Sequence, residues 1–272
     1  MEKEFQLNQK KLKTILLQNY KKMKIILIAA GSSTRLGEQT YDIPKGLLKI
    51  NDKSIIANQI ELFKKNNLND IVIITGPHHE KFEFDDVIYI NDKNHKNHDV
   101  LGSLMAGESQ MDEQTITTYS DIIFDEKILD SIIKFPGEFG IVVDLNWEKN
   151  YENRDQHPKS EADNVLINNG RILEIRKNIT QCKENEVIGE FIGIMKMSKN
   201  EVKNFKNVFF ELKKSHDGRF HNAPSLEKAY LTDMLQELIN SGVTISPILV
   251  DGKWCEIDTP QDLEKARKIL ND

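Results

Sequence analysis

The stretch AAGSSTRLGEQTYDIPKGL, from Ala29 to Leu47, decides the fold prediction, because small and basic residues there follow a strand-forming run directly. That run covers residues 25–28, and the small residues after it let the backbone turn sharply and approach a ligand closely. Backbone N–H groups in such a turn can cradle phosphate, and the planar guanidinium of Arg35 suits phosphate oxygens. Lys45 supplies a second cation after the rigid Pro44. We therefore expect a nucleoside triphosphate at this turn.

The turn differs from two common phosphate-binding motifs. No Gly-Lys-Ser/Thr follows at the spacing of a Walker loop, and Ser33 stands where a dinucleotide-binding fingerprint has its second glycine. A plain turn between a strand and a helix, without a ligand, is the alternative that the residues leave open. The predicted nucleotide contacts in this stretch are Ala29, Ala30, Gly31, Ser32, Ser33, Thr34, Arg35 and Lys45.

Strand and helix patterns alternate after this stretch. Residues 55–66 carry an apolar stripe at helical spacing, whereas residues 70–76 and 87–91 are short apolar runs typical of buried strands. This alternation predicts an α/β fold with a Rossmann-like, mixed, mostly parallel sheet flanked by helices. Ligands of such sheets bind beyond the carboxyl ends of the strands, which is where the Ala30 turn lies.

An antiparallel insertion is predicted in the second half of the chain. Asn169-Gly170 separates two alternating apolar runs, which is a strong hairpin signal. Residues 190–197 form another strand pattern. We place the insertion at about residues 145–197 and expect it to carry the pocket for a second substrate.

The remaining pattern predicts one large domain over residues 23–272, preceded by an N-terminal extension, residues 1–22. Helices are expected over residues 201–213 and 225–241, the second with Ser225 as its N-cap.

Composition excludes several classes of function. The 272 residues are 39% hydrophobic and 29% charged with a net charge of -6, which argues against a general nucleic-acid binder. Apolar runs fall short of the roughly 20 residues of a membrane span. The two cysteines, Cys182 and Cys255, are too few for a disulfide scaffold, so we expect a cytoplasmic protein. The oligomeric state stays open, with a homodimer as one option.

Two aspartates are candidates for a metal site. Asp121 lies among apolar residues in YSDIIF, and a carboxylate there is costly to bury unless it is paired or metal-bound. Mg²⁺ is a hard cation that takes carboxylate and phosphate oxygens. Asp258 precedes the final amphipathic helix. The alternative for both residues is helix capping, with Asp121 serving the helix that begins near Asp125.

Three motifs in this order resemble the nucleotidyltransferases that activate sugar phosphates, phosphocholine and phosphonates. They are AAGSSTRLG with PKG, YSDIIF, and WCEIDTPQDL, and the resemblance covers residues 23–270. The middle loop, WEKNYENRDQHPKSEADNV followed by GEFIG, looks like the phosphonate cytidylyltransferases associated with phosphoenolpyruvate mutase. It is also similar to phosphocholine and phosphoglutamine cytidylyltransferases. Two departures are Ser33, where glycine is frequent, and Gly46, where cysteine or alanine is common.

The resemblance implies transfer of CMP from CTP to a small phosphonate or phospho-acceptor, with release of pyrophosphate. Its first candidate acceptor is 2-aminoethylphosphonate. The implied roles are Mg²⁺ binding for Asp121 and Asp258, triphosphate binding and catalysis for Arg35 and Lys45, catalysis between α-phosphate and acceptor for Lys177, and base and ribose contacts for Gly102 and Ser103.

The predicted acceptor pocket combines basic, acidic and aromatic residues. Arg154 is expected to hold the phosphorus group bidentately. An acceptor ammonium would be met by carboxylates and by cation–π attraction. The residues assigned to it are Glu161, Asp163, Glu190, Trp147 and Tyr151. A sugar-1-phosphate nucleotidyltransferase is an alternative enzyme, and a non-catalytic nucleotide-binding module is the alternative of another class.

Overall fold

The computed structural model describes residues 23–31, 36, 42–152, 154 and 156–271, with side chains as far as residue 269. The predicted N-terminal extension, residues 1–22, lies outside the described residues.

Strands and helices alternate through most of the described chain. The strands are β1 (Lys24–Ala29), β2 (Lys49–Ile50), β3 (Lys53–Ser54), β4 (Asp70–Thr75), β5 (Ile88–Asn91), β6 (Thr115–Tyr119), β7 (Ile122–Phe124), β8 (Phe139–Asp144), β9 (Asp163–Asn168), β10 (Arg171–Lys177), β11 (Glu186–Met197), β12 (Ser246–Val250) and β13 (Trp254–Glu256). The α-helices are α1 (Ile55–Lys65), α2 (Val100–Ala106), α3 (Glu126–Lys134), α4 (Lys199–Ser215), α5 (Leu231–Asn240) and α6 (Pro260–Asn271).

A nine-stranded mixed sheet forms the centre of the described structure. Its main order is β10-β9-β11-β6-β1-β4-β5, and β8 joins β11 and β12. β1 pairs in parallel with β4 and β6, and β5 pairs in parallel with β4. β11 runs antiparallel to β6, β8 and β9. The predicted α/β fold is confirmed, and the antiparallel strands extend the same sheet.

Helices cover both faces of this sheet. Ile26 and Ile28 of β1 belong to one apolar core with residues of α2, α4 and α5. Ile25 and Leu27 belong to the opposite core with residues of α1 and α3. β1 therefore buries both of its faces, as a central parallel strand does.

The predicted hairpin is confirmed. β9 and β10 pair antiparallel, and Asn169 and Gly170 between them have φ angles of 48° and 72°. Positive φ at both positions matches the tight turn that Asn-Gly favours.

The predicted start of the helix over residues 225–241 is wrong. The helix α5 begins at Leu231, and Ser225 does not cap it. The backbone before α5 instead accepts hydrogen bonds from the start of α2. Glu227 O accepts from Asp99 N–H (2.9 Å), and Ala229 O accepts from Leu101 N–H (3.3 Å).

A small antiparallel sheet brings the two candidate metal ligands together. β7 pairs with β13, and Ile257 N–H donates to Asp121 O at 2.8 Å. The cap of α3 is Asp125, whose carboxylate accepts from Ile128 N–H at 3.0 Å. Capping therefore does not account for Asp121.

None of the helices in the described part of the chain combines the length and the apolar character that a membrane crossing requires.

Gly76, directly after β4, supports the turn that follows β1. A Cβ on Gly76 would lie 2.4 Å from the carbonyl oxygen of Ala30. We expect Gly76→Ala to lower the free energy of unfolding by about 1–3 kcal/mol, because backbone must move to relieve the overlap. Gly31→Ala is the control, since its Cβ would meet no described atom within 4 Å. Urea denaturation of both variants measures the difference, and equal stabilities would contradict this assignment.

Candidate active site

A cavity of about 760 Å³ opens at the carboxyl ends of β1 and β6. Many of the residues predicted from the sequence line it. They are Ala29, Ala30, Gly31, Lys45, Ser103, Asp121, Tyr151, Glu161, Asp163, Lys177, Glu190 and Asp258. The single cavity therefore unites the predicted nucleotide, metal and acceptor groups.

Lys45 lies between the two aspartates. A short 3₁₀ helix that follows Pro44 positions it, and Nζ donates to Asp121 Oδ2 at 2.7 Å and to Asp258 Oδ1. Burial acts to lower the pKa of Lys45, but Asp121, Asp258 and Glu256 outweigh it and hold the pKa above its usual value. The lysine is therefore a fixed cation.

Glu256 and His157 complete the acidic end of the cavity. Burial, reinforced by Asp258 and Asp121, raises the pKa of Glu256 to about 7. Nδ1 of His157 lies 2.9 Å from Asp258 Oδ2 and 3.9 Å from Glu256 Oε2. Glu256, Asp258 and His157 each offer a ligand atom within 4.8 Å of the others.

The donor set fits a hard divalent cation. Asp121 Oδ1 is buried and has no hydrogen-bond partner among the described residues. An orphaned carboxylate oxygen beside a second buried aspartate is costly unless a cation compensates it. Asp121 and Asp258, with Glu256 close by, therefore provide the oxygen ligands that Mg²⁺ prefers. The cofactor itself stays a prediction.

Glu190 and Tyr151 both line the cavity. The Tyr151 hydroxyl donates to Glu190 Oε1. Glu190 Oε2 is buried without a hydrogen-bond partner in the described chain. Burial raises the pKa of Glu190 well above its usual value and raises the pKa of Asp163 nearby to about 6.

Two predicted acceptor contacts lie outside the cavity lining. Arg154 donates from Nε and Nη2 to the two carboxylate oxygens of Asp262, at 2.7 and 2.9 Å. Trp147 is buried, and the ammonium of Lys159 lies 5.0 Å from the centroid of its ring. Both side chains are therefore engaged within the protein, and direct acceptor contact by Arg154 or Trp147 stays a prediction.

The catalytic lysine predicted on the hairpin faces the cavity. Lys177 Nζ lies 5.7 Å from the ring centroid of Tyr230, another lining residue. Ser103 also lines the cavity, whereas Gly102 packs against His98, with a hypothetical Cβ only 2.4 Å from the His98 ring. The predicted contacts Ser32, Ser33, Thr34 and Arg35 lie outside the described residues.

Comparisons with known proteins agree with this geometry. Residues 25–147 match the MobA-like NTP transferase domain. Residues 25–147 therefore carry a nucleotidyltransferase domain. The whole chain is 29% identical over 254 residues to the CTP:phosphoglutamine cytidylyltransferase of Campylobacter jejuni, covering 89% of this chain and 98% of that protein.

Two further relatives come from Streptococcus pneumoniae. A choline-phosphate cytidylyltransferase is 45% identical over 62 residues, which are 23% of this chain and 27% of that protein. A solved CTP:phosphocholine cytidylyltransferase superimposes with a TM-score of 0.69 at 19% identity, over 92% of this chain and 99% of that chain. The structural likeness supports the nucleotidyltransferase fold.

Several residues of this site were not assigned a role from the sequence. Glu256 lies inside the WCEIDTPQDL motif, where its spacing of two from Asp258 was an available signal. His157 carried no such signal, because its contact with Asp258 joins residues about a hundred positions apart. Tyr119 and Tyr230 also line the cavity.

The position of Lys45 between the two aspartates allows a direct test of its role in nucleotide binding. Lys45→Ala should lower kcat/KM for the nucleotide by about 10²- to 10³-fold, because a preorganised cation is lost from the acidic cluster. Lys49→Ala is the control, since Lys49 is exposed on β2. Pyrophosphate release measures both variants, and equal losses would refute a specific role for Lys45.

Proposed function

We propose that this nucleotidyltransferase transfers CMP from CTP to a small phosphorus-containing acceptor that carries a primary amine. An acceptor oxyanion forms a bond to the α-phosphorus of CTP while the bond from that phosphorus to the bridging oxygen breaks. The electron pair of the broken bond leaves with pyrophosphate. No covalent enzyme intermediate is needed, so positioning and charge compensation supply the catalysis.

The nucleotide side of the proposal rests on Lys45 and on the turn after β1. Lys45 is held at the cavity by Asp121 and Asp258, and the small residues Ala30 and Gly31 leave room for close approach of phosphate. Asp121 and Asp258 would hold Mg²⁺, which would compensate charge at the phosphates when bound. Preference for cytosine is proposed from the relatives named cytidylyltransferases.

The observation that carries the acceptor proposal is the orphaned oxygen of Glu190. Glu190 Oε2 is buried without a partner within the described part of the chain, next to Asp163 and Tyr151 in the cavity lining. A primary ammonium has N–H groups to donate to such an oxygen, whereas a trimethylammonium group has none. This favours 2-aminoethylphosphonate as the first candidate over phosphocholine.

Other acceptors remain as alternatives in the test. Phosphoglutamine is one, because a relative that aligns over most of this chain is named for it. A sugar-1-phosphate acceptor is another. A non-catalytic module is disfavoured, because Asp121, Asp258 and Lys45 are present together at the cavity. A cytoplasmic location and a homodimer stay predictions.

A substrate screen tests the proposal. Pyrophosphate release should be followed with each of the four NTPs against 2-aminoethylphosphonate, phosphoethanolamine, phosphocholine, phosphoglutamine and glucose-1-phosphate. We expect CTP with an amine-bearing acceptor to give the highest kcat/KM. Phosphoethanolamine and phosphocholine are the matched pair, since they differ only in methylation of the nitrogen. Faster turnover of phosphocholine, or turnover of glucose-1-phosphate alone, would sink the primary-amine assignment.

Asp163 makes the acceptor affinity depend on pH. Its carboxyl is ionised above a pKa of about 6 and neutral below it. We therefore expect the KM for 2-aminoethylphosphonate to rise as pH falls through about 6, because attraction for the ammonium is lost. Asp163→Asn should raise the KM at neutral pH and abolish this dependence of the KM on pH.

The ratio of KM between wild type and Asp163→Asn is the quantity to measure, from about pH 5 to about pH 8. Ionisation of the acceptor's own phosphonate cancels in this ratio. A ratio that does not change with pH would exclude Asp163 from acceptor binding.

A further inference from the structure

The β8–β9 loop, of which the structure describes residues 145–152, 154 and 156–162, is joined by polar contacts to the C-terminal segment that carries Asp258. At its base, Trp254 Nε1 donates to Asp144 Oδ2 at 2.8 Å. Asn150 Nδ2 donates to the same oxygen at 3.2 Å, and Lys265 Nζ donates to Asn150 Oδ1 at 2.9 Å. The loop therefore lies against this segment rather than projecting from the sheet.

A buried ion pair forms the centre of this contact. Arg154 of the loop and Asp262 of α6 are joined by two parallel hydrogen bonds, with side chains only 9% and 2% exposed. Bidentate pairs of this kind fix orientation as well as distance. Removal of one partner leaves a buried charge uncompensated, so the pair is hard to break.

Asp262 also organises the turn that carries the metal ligand. Its Oδ2 accepts from the backbone N–H groups of Asp258 (3.0 Å) and Thr259 (2.8 Å), and from the Thr259 hydroxyl (2.8 Å). One carboxylate therefore connects the Arg154 guanidinium to the backbone of Asp258. His157, three residues beyond Arg154, touches the Asp258 side chain from the loop side.

We infer that Arg154 is a positioning residue whose pair with Asp262 latches the β8–β9 loop onto the turn that holds Asp258. The latch keeps Tyr151 and His157 at the cavity and fixes Asp258 toward Lys45. Closure of the loop and binding of a divalent cation at Asp121 and Asp258 are then coupled, and such coupling is reciprocal. This inference needs no particular acceptor or base, so it stands apart from the proposed CMP transfer.

Two variants weaken the latch in different ways. Asp262→Asn removes the negative charge, and Arg154→Lys keeps the positive charge but loses the two-donor geometry. Limited trypsin digestion, read by mass spectrometry at Lys149 and Lys159, reports loop opening. Binding of Mn²⁺ alone, followed by electron paramagnetic resonance, reports the cation site without any turnover.

We expect Asp262→Asn to accelerate cleavage at Lys149 and Lys159 by about tenfold or more, since local opening exposes the loop. Its affinity for Mn²⁺ should fall by about tenfold. Arg154→Lys should change both readouts in the same direction and by less. Glu264→Gln is the control, because Glu264 pairs with Arg267 on the exposed side of the same helix.

The outcomes separate the parts of the inference. Wild-type cleavage rates in folded Asp262→Asn and Arg154→Lys would overturn the latch. Faster cleavage with unchanged Mn²⁺ affinity would overturn its link to Asp258. If Asp262→Asn does not fold, Arg154→Lys decides alone. A wild-type protein that binds no Mn²⁺ would refute the metal assignment, and the cleavage rates would still decide the latch.

Discussion

Negative charge concentrated around one cavity is the constraint on which the rest of the site depends. Asp121, Asp258 and Glu256 all act on the single ammonium of Lys45, and Glu256 reaches a pKa of about 7. Charges of one sign this close are tolerated only when cations or protons compensate them. The protein supplies Lys45 beside the carboxylates, and Lys177 also lines the cavity. A bound cation would add to this compensation.

The fold meets this constraint by fixing the carboxylates through backbone pairing. β7 and β13 form their own two-stranded sheet, and its last backbone contact, Ile257 N–H to Asp121 O, places Asp258 beside Asp121. The repulsion between the two carboxylates is therefore opposed by strand pairing and by packing of α6 on β13. The Arg154–Asp262 ion pair holds the β8–β9 loop, whose described residues lie outside the strands. A site built on paired elements keeps its geometry without a bound ligand.

Much of the fold and part of the site could be predicted from the sequence, because they depend on local signals. Apolar alternation and Asn169-Gly170 predicted the sheet and its hairpin, and motif context predicted Asp121 and Asp258 at one cavity. The start of α5 was predicted wrongly, at Ser225. The backbone after Ser225, which was expected to be helical, instead makes tertiary hydrogen bonds to α2. The partner of Arg154 was missed because Asp262 is 108 residues away. A guanidinium in a polar loop looks the same in sequence whether it meets a ligand or a buried carboxylate.

Under the proposed function, charge would also disfavour a sugar phosphate as acceptor. A hexose ring has hydroxyl groups but no positive charge, so the carboxylate of Asp163, which is ionised above a pKa of about 6, would face it uncompensated. Asp163 would then have to take up a proton or stay charged beside a desolvated ring, and both options cost binding free energy. An acceptor ammonium removes this cost and pairs with the orphaned Glu190 Oε2 at once. Discrimination of this kind comes from the protein groups that the wrong ligand leaves unpaired. It separates ligands more strongly than complementarity of shape does.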